Sequence, residues 1–386
     1  MQAQRRLSPD ASLLATAAAT AVFLVAWGLI HRFFWAHGQL IDTPTYQSYG
    51  DAIVHLHQFP YRDFHVDYPP GALPVFVLPS LLGHYDSSFA WLMAACGVLL
   101  VVAVGLLRPA AAWFVALSPL LVGSLILSRF DLWPALLTTT ALVALVSGWD
   151  RWGWALLGAA IAAKAWPLVL VPLALVWAWR RRQLHAAWLC LAVLVVLVVP
   201  FSIVAPHGLW ASISGQASRP LQVESLGAAL LTTFGRPVTV TSHGSQNLVG
   251  HGALGAVFAM LQALAIVGLW LGFARGPATE ERLLRYSAAA VCAFIVFGKV
   301  LSPQYLIWLV PLVPLVRGRR GVSAAGLLVA ALILTQVWFP SRYWNYALNF
   351  HLAGVVLARD VVLLLLLAVL ALPAPVDGRS IIQAQP

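Results

Sequence analysis

The sequence carries little charge, and this scarcity excludes a soluble enzyme. Of its 386 residues only 9% are Asp, Glu, Lys or Arg, while 61% are hydrophobic. Soluble domains have about 25% charged residues, so lipid must cover most of this surface. Cysteine is also rare, and Cys96, Cys190 and Cys292 all lie inside apolar stretches. They give neither a disulfide framework nor the ligand spacing of a zinc site.

Lysine is nearly absent from the sequence. Arginine supplies 21 of the 23 basic residues, and the only lysines are Lys164 and Lys299. The arginines collect in short segments between apolar runs, at 180–182, 275–285 and 317–320. Short arginine-rich loops stay in the cytoplasm, so the net charge of +10 reflects membrane topology and no nucleic-acid partner is expected. A glycine-rich nucleotide loop is missing as well, which argues against a nucleotide-sugar donor.

Long apolar runs are what the sequence has instead. Residues 13–30, 186–204 and 253–273 approach or reach the ~20 residues that cross a bilayer as a helix. The first run follows Arg5 and Arg6 as a signal peptide would, but it is long for one and lacks a small-residue cleavage site. We interpret it as a retained first helix. The pattern predicts an all-α polytopic membrane protein, a single domain over 1–386 in the plasma membrane, with both termini in the cytoplasm.

The apolar runs and arginine-rich loops together predict about 12 transmembrane helices. Their approximate ranges are 12–35, 87–107, 110–127, 132–148, 153–165, 166–179, 184–205, 247–273, 286–301, 303–316, 321–339 and 352–372. Two long segments remain outside the membrane, the first outer loop at 36–86 and the second at 206–246. Residues 70–83 are apolar but only ~21 Å long as a helix, so we predict a juxtamembrane or re-entrant helix there.

One pattern occurs twice in the chain. A helix leads to a lysine, a proline interrupts it, and a short apolar stretch then leads to an arginine cluster. Lys164 precedes Pro167 in this way, and Lys299 precedes Pro303. Each stretch of about 14 residues spans ~21 Å, less than the ~30 Å hydrocarbon core, which predicts a protein-walled cavity open to the outer leaflet. A lysine at that depth usually marks a substrate path, here the phosphate of a lipid carrier, and the alternative is a snorkelling or ion-paired lysine.

The first outer loop offers Asp42 as a candidate general base. It lies just beyond the first helix, near the membrane plane, where a carboxylate can deprotonate a hydroxyl. The alternative is a helix N-cap, because Asp42 precedes a plausible short helix at 45–56. Asp51 and Asp67 are weaker candidates, as is Asp63, for which pairing with an arginine is the alternative.

Two further outer positions bring an arginine close to an acid in sequence. Arg129 and Asp131 lie two positions apart at a turn between helices, so they form a structural pair or the arginine faces a phosphate. Arg219 and Glu224 lie in the second outer loop, where they bind sugar hydroxyls or phosphate, or pair at the surface. The residues alone leave both choices open.

Histidines and aromatic residues are frequent in the outer segments. His55, His57 and His65, with Asp67, suggest a metal site, but their spacing matches no fixed zinc motif. We therefore expect no metal ion and no other cofactor. The aromatic residues either stack on sugars or belong to an interfacial belt.

These residues together resemble the GT-C glycosyltransferases, which take sugars from polyprenyl-phosphate carriers on the outer face of the membrane. The closest resemblance is to glycosyltransferase family 87, which includes the mannosyltransferases that extend phosphatidylinositol mannosides in actinobacteria. The likeness rests, in chain order, on Asp42 with Tyr46 and Tyr49; on Pro60-Tyr61-Arg62-Asp63-Phe64 with Asp67-Tyr68-Pro69-Pro70; on Ala163-Lys164-Ala165-Trp166-Pro167; and on Ser302-Pro303-Gln304-Tyr305.

The resemblance implies a GT-C-like bundle and an inverting transfer from a lipid-linked sugar donor to a glycolipid or glycan acceptor. Mannose is the default sugar, with arabinose and glucose open. It implies Asp42 as the catalytic base, and we expect the carrier phosphate to be held by Lys164, Lys299, Arg129 and Arg219. Contacts to the sugar or acceptor are expected from Tyr46, Tyr49, Asp67, Tyr68, Glu224, Gln304 and Tyr305. The competing hypotheses are a lipid-linked sugar flippase or transporter that uses the same cations, and a non-catalytic scaffold.

Overall fold

The computed structural model describes residues 9–34 and 42–372, which form a bundle of α-helices with one small β-hairpin. The first half of the chain contains α1 (Pro9–Phe34), α2 (Thr43–Val54), α3 (Leu73–Leu82), α4 (Tyr85–Leu107), α5 (Pro109–Val122), α6 (Leu125–Ser128), α7 (Leu132–Val146) and α8 (Asp150–Ala163). The second half contains α9 (Val171–Arg180), α10 (Trp188–Val204), α11 (Pro206–Ala217), α12 (Leu226–Phe234), α13 (Gly252–Arg275), α14 (Glu280–Val296), α15 (Gly318–Trp338), α16 (Tyr343–Asn349) and α17 (Ala353–Ala371). Short 3₁₀ helices occupy Pro70–Ala72, Trp166–Leu170, Leu184–Ala186, Pro303–Trp308 and Val313–Leu315.

Six helical segments in the described part of the chain are long and apolar enough to cross a membrane. They are Asp10–Phe33, Tyr85–Leu107, Leu184–Val204, Gly252–Arg275, Gly318–Trp338 and Ala353–Ala371. Shorter apolar helices pack among them, since α5 lies against α1 and α4, and α7 lies against α4 and α8. The predicted polytopic all-α architecture is confirmed, whereas the count of about 12 crossings stays a prediction.

The contacts between helices show which helix termini lie at the same end of the bundle. α1 and α4 run antiparallel, because Gly97 lies against Phe23 while Gly105 lies against Thr16. The end of α1 and the start of α4 therefore share one end with the short helices α2 and α3, and we call this the loop end.

The opposite end of the bundle is held together by arginines, and we call it the basic end. Arg108, after α4, donates to Glu280 at the start of α14 at 2.9 Å. Arg317, before α15, lies 3.6 Å from the same carboxylate. Arg180, at the end of α9, donates to the carbonyl of Ala274 in α13. Cations at helix C-termini bind the last carbonyls and interact favourably with the helix dipole, so the arginines at this end of the bundle have a structural role.

A glycine allows the first outer segment to pack closely on α8. A Cβ on Gly71 would lie 2.5 Å from the carbonyl carbon of Ala162, so only glycine permits this approach. The indole of Trp133 donates to the Gly71 carbonyl at 3.1 Å. The apolar segment Pro70–Leu82 buries Phe76 and its neighbours inside the loop end. The turn brings the residues that precede it toward the end of α8.

The short apolar helix predicted over 303–316 is found as Pro303–Leu315, but it is not a continuous α-helix. The segment forms the 3₁₀ helices Pro303–Trp308 and Val313–Leu315, joined by turns. Pro303, Pro311 and Pro314 lack the N–H groups that an α-helix requires. The apolar composition is that of a buried helix, but the spacing of the prolines prevents one.

The second outer loop is more structured than predicted, and the helix expected from 247 begins later. α11 and α12 lie within this loop, and α13 begins at Gly252. Before it, the strands β1 (Thr239–Ser242) and β2 (Ser245–Leu248) form an antiparallel hairpin. His243 and Gly244 at its tip both have positive φ, as a type I′ turn requires.

The helix expected at 286–301 lies earlier in the chain, at Glu280–Val296. The side chain of Thr279 caps it by accepting a hydrogen bond from the N–H of Arg282. An acidic first turn is favourable at a helix N-terminus, but its low hydropathy makes the start of the helix look like a loop in the sequence.

Candidate active site

Asp42 lies directly before α2 at the loop end. Its backbone carbonyl accepts hydrogen bonds from the N–H groups of Thr45 at 3.0 Å and Tyr46 at 3.2 Å. The side chain makes no capping bond and instead forms an ion pair with Arg129, with the Tyr46 hydroxyl 3.5 Å away. The N-cap alternative therefore does not account for the carboxylate. The Asp42 side chain is 33% exposed and that of Arg129 only 7%, so the pair has one open side.

Asp131 is fully buried and accepts two hydrogen bonds at the same oxygen. Lys164 Nζ lies 2.6 Å and Trp308 Nε1 2.7 Å from Asp131 Oδ1. Asp131 Oδ2 has no hydrogen-bond partner among the residues that the structure describes. Lys164 is thus ion-paired, as one alternative held, and 15% of its side chain stays exposed. Arg129 and Asp131 each pair with a distant residue, Asp42 and Lys164, rather than with each other.

Four aromatic rings surround the Lys164 ammonium. The distances from Nζ to the ring centroids are 4.6 Å for Phe130, 5.2 Å for Trp308, 5.4 Å for Tyr305 and 5.9 Å for Tyr68. Aromatic faces within about 6 Å attract a cation through their quadrupole. The ammonium is therefore held in place by its surroundings, although a lysine side chain is flexible by itself.

The lysine–proline pattern explains how Lys164 reaches this position. α8 ends at Ala163, and Lys164 is extended, with φ −161° and ψ 137°. Pro167 follows within a 3₁₀ helix and cannot continue α8. The second copy of the pattern packs beside the first, since Trp166 and Trp308 stack with centroids 4.8 Å apart and planes at 11°. The two copies meet at the candidate site.

Lys299, in the second copy of the pattern, has different contacts. Its Nζ donates to the carbonyl of Ala217 at 2.7 Å. Its own carbonyl accepts a hydrogen bond from the N–H of Gln222 at 2.9 Å. Lys299 therefore ties the second outer loop to the end of α14, while Lys164 contacts Asp131.

Aromatic side chains connect the two ion pairs. Tyr46, whose hydroxyl faces Asp42, packs edge-on against Phe130 at 5.6 Å between centroids. Tyr68, which faces Lys164, packs edge-on against the same ring at 4.8 Å. The predicted residues Tyr46 and Tyr68 thus lie between the candidate base and the candidate phosphate ligand.

Glu224 is buried at the end of an extended segment that enters the bundle. The N–H of Val223 donates to the carbonyl of Gln246 at 3.0 Å, and Arg359 donates to the carbonyl of Glu224 at 2.7 Å. Glu224 Oε2 has no partner within the described ranges. Burial raises the pKa of Glu224 to about 7, although Arg359 and Arg219 oppose this shift.

Two other predicted contacts are bound by neighbours in the structure. Arg219 donates to Ser245 Oγ at 2.8 Å and to Gln216 Oε1 at 3.3 Å. It therefore does not form the surface ion pair with Glu224 that was one of the alternatives. Gln304 accepts a hydrogen bond from Ser302 and is largely buried. Both side chains keep a fixed position near the second lysine–proline pattern.

The other polar residues of the first outer loop pair among themselves. Tyr49 donates to Asp67 Oδ2 at 3.0 Å, and His65 Nε2 lies 3.0 Å from Asp67 Oδ1. Arg62 lies 2.8 Å from Asp63, and this hydrogen-bonded contact lowers the pKa of Asp63 to about 2. Over residues 9–34 and 42–372, no three His, Cys, Asp or Glu side chains come together as a metal site would need.

Comparison with known proteins identifies the family. Residues 64–303 match the sequence model of glycosyltransferase family 87. The chain belongs to this family. It is therefore a membrane glycosyltransferase, as the resemblance implied. The matched range includes Asp131, Lys164, Glu224 and Lys299, whereas Asp42 precedes it. A search of curated proteins finds no match.

A solved structure supports the fold of this family 87 enzyme. ArnT from Cupriavidus metallidurans, whose structure was determined with undecaprenyl phosphate bound, has a TM-score of 0.51 and 16% sequence identity. The match covers 93% of this chain and 76% of that one. At this identity the likeness shows the fold alone, and it confirms the predicted GT-C bundle.

Sequence reasoning missed part of the site. In the sequence Asp131 stands out only through its proximity to Arg129, and its partner Lys164 lies 33 positions away. The signal that could have found it is the start of an apolar helix, where an unpaired acid is costly and needs a cation. Trp308 is one of 17 tryptophans, and nothing in its neighbourhood distinguishes it.

Proposed function

We propose that this enzyme transfers a sugar, with mannose as the first candidate, from a polyprenyl-phosphate carrier to a lipid or glycan acceptor. The observation that carries the proposal is the turn 129–131, where Arg129 holds Asp42 and Asp131 holds Lys164. One short turn supports both a carboxylate and a cation. The shared fold with a protein that binds undecaprenyl phosphate supports the class of donor.

Asp42 is the proposed general base. An arginine partner favours the ionised form of a carboxylate, and the ionised form is the one that accepts a proton. The open side of the carboxylate leaves room for the acceptor hydroxyl. As the proton passes to Asp42, the hydroxyl oxygen attacks the anomeric carbon and the carrier phosphate leaves with the electrons of the broken bond. Attack opposite the leaving group inverts the anomeric centre.

Lys164 is the proposed main ligand of the carrier phosphate. Its ammonium is fixed by Asp131, and Arg219 lies within its electrostatic range. Preorganised cations stabilise a leaving group because they need no reorganisation during the reaction. Lys299 and Arg129 remain further candidates for the phosphate, although their present contacts are with Ala217 and Asp42.

The residues around Lys164 are suited to bind the sugar. Tyr305 stacks on Trp308 at 4.2 Å and presents an aromatic ring near the ammonium. Glu224 offers a buried carboxylate oxygen without a partner in the described residues, which can accept from a sugar hydroxyl. Tyr46, Tyr49, Asp67, Tyr68 and Gln304 are the remaining proposed contacts to sugar or acceptor.

We place this chemistry on the extracytoplasmic face of the plasma membrane. The arginine-rich turns share the basic end of the bundle, and such turns stay in the cytoplasm. Asp42 and Lys164 lie at the loop end. Transporters have their sites near the midplane between repeats, so charged groups gathered at one end favour an enzyme over the alternative, a lipid-linked sugar transporter.

The test is release of carrier phosphate by the purified protein, given a panel of polyprenyl-phosphate sugars and glycolipid acceptors. Asp42→Asn is expected to abolish transfer while the protein still inserts and folds. Asp86→Asn, which neutralises an exposed acid at the start of α4, is the matched control and should stay active. Full activity of Asp42→Asn would refute the assigned base. Movement of the lipid-linked sugar across vesicles without carrier release would favour the transporter.

A further inference from the structure

A cavity at the basic end lies far from the chemistry described above. It has a volume of about 460 Å³ and is lined by Trp179, Arg180, Arg182, Leu184 and His185. Ligand pockets in proteins have volumes of about 300–1,000 Å³. The cavity occupies the turn between α9 and α10, and no acidic residue is among those that line it.

The three arginines of this turn are engaged differently. Arg180 donates to the carbonyls of Ala274 and Gly276. Arg181 lies over the ring of Trp177, at 4.6 Å from its centroid. The side chain of Arg182 is exposed and has no hydrogen bond or ion pair within the described residues.

The backbone at Arg182 is held in an uncommon conformation. Its φ is +59°, in the left-handed region that few residues other than glycine adopt. Strain of this kind is retained mostly where the surrounding structure or a function requires it. Asp150 is coupled electrostatically to His185 and Arg181 of this turn. Of the two arginines that line the cavity, Arg182 is therefore the one whose side chain has no hydrogen bond or ion pair among the described residues.

The position of the cavity matches the interface between lipid headgroups and acyl chains. Trp149, Trp152, Trp179 and Trp188 stand at the same end of the bundle and are between 63% and 69% exposed. Tryptophans in such numbers mark the level of the headgroups. A cation at this depth meets the phosphates of the membrane.

An apolar track leads from the cavity along α10. In the segment Leu184–Val204 only 6% of the most apolar stretch is buried. Exposed side chains follow one face at helical spacing, namely Leu184, Trp188, Leu191, Val195 and Val199. α10 packs on α8, whereas α9 packs on α13 and α14, so the turn bridges two helices held by different neighbours.

We propose that this cavity binds an anionic membrane phospholipid, with its phosphate on Arg182 and His185 and an acyl chain along the exposed face of α10. The lining of the cavity is basic and contains no acidic residue, which favours a phosphate as the ligand. The exposed apolar face of α10 beside it favours a lipid over a soluble anion. Basic pockets between membrane helices on the cytoplasmic side are suited to such headgroups. The site is separate from the proposed transfer of sugar and does not depend on it.

The test uses the full-length protein in nanodiscs of phosphatidylcholine that contain a minor fraction of phosphatidylglycerol, with retained lipids counted by native mass spectrometry. Wild type is expected to retain phosphatidylglycerol in preference to phosphatidylcholine. Arg182→Asn should lower this retention about fivefold, since one arginine near a membrane surface contributes about that factor. Asparagine tolerates the left-handed backbone, so we expect this variant to fold. Arg182→Lys keeps the positive charge and should retain phosphatidylglycerol as wild type does.

Arg151→Asn is the matched control, because Arg151 is exposed at the same end but outside the cavity. It should leave retention unchanged, and an equal loss in both variants would show general surface attraction and overturn the site. If Arg182→Asn does not fold, His185→Gln tests the same cavity with Arg182 intact. Excess inorganic phosphate should not displace the lipid. Displacement, or the lack of any preference in wild type, would overturn the proposal.

Discussion

Lys164 and Asp131 form an ion pair that joins the end of α8 to the start of α7, with Nζ 2.6 Å from Oδ1. The carboxylate is fully buried and the ammonium nearly so. Such a pair can serve the fold, the chemistry or both, and the two roles predict different outcomes when one or both charges are removed.

The first prediction separates these roles. Asp131→Asn and Lys164→Met each leave one charge buried without its partner, which costs about 3–5 kcal/mol. The double variant removes both charges and should regain most of that stability, because a neutral replacement of a buried pair is often tolerated. Thermal unfolding in detergent measures this. Transfer activity should stay at least about a hundredfold below wild type in the double variant. Recovered activity would assign Lys164 to the fold alone.

A second prediction concerns the contact between Arg129 and Asp42. Arg129→Gln removes the charge that favours an ionised base, so kcat should fall by about 10²–10³ while KM for the donor changes little. Arg129→Lys should recover part of the rate, since it keeps the charge but not the planar fork. If KM for the donor rises at unchanged kcat, Arg129 holds the carrier phosphate instead.

A third prediction follows from the raised pKa of Glu224. A carboxyl whose pKa is about 7 in the folded protein binds its proton more tightly there than in the unfolded chain. Its contribution to stability is complete below the ordinary value of 4.5 and is lost as pH rises through about 7. Wild type should therefore lose stability across this window relative to Glu224→Gln. Parallel Tm profiles of the two proteins would contradict the assignment.

A fourth prediction tests the close approach at Gly71. Gly71→Ala places a methyl group 2.5 Å from backbone atoms of α8, and forced repacking of this kind costs about 1–3 kcal/mol. It should also lower transfer, because Tyr68 and Lys164 flank this contact. Gly28→Ala is the control: Gly28 lies within α1, and no atom of the described residues comes within 4 Å of the new methyl group, so it should stabilise by about 0.5–1 kcal/mol. Tm and activity are measured on both.

Much of the fold could be predicted from the sequence, because apolar length and arginine position are strong constraints in a membrane. α4, α7 and α17 lie within a few residues of their predicted ranges. The differences between the predicted and the observed elements share a cause. The 3₁₀ segment after Pro303 and the hairpin at 239–248 depend on individual backbone hydrogen bonds, which average hydropathy does not represent.

The candidate site was predicted in composition more than in arrangement. Asp42, Arg129, Lys164, Tyr68 and Tyr305 do lie close together. The pairing between them could not be predicted, since sequence proximity suggested Arg129 with Asp131. Which acid meets which base is decided by the packing of α2, α7 and α8, and that packing depends on contacts such as Gly71 against Ala162.

The ion pair between Lys164 and Asp131 has a kinetic consequence under the proposed function. A sugar donor of this class is a phosphodiester, and the departing carrier is a monophosphate with more negative charge. A phosphate site made of cations without an acidic partner would bind that product more tightly than the substrate and delay the next catalytic cycle. Because Asp131 already balances the ammonium, Lys164 positions the phosphate without binding the product tightly, so we expect little product inhibition under the proposed function.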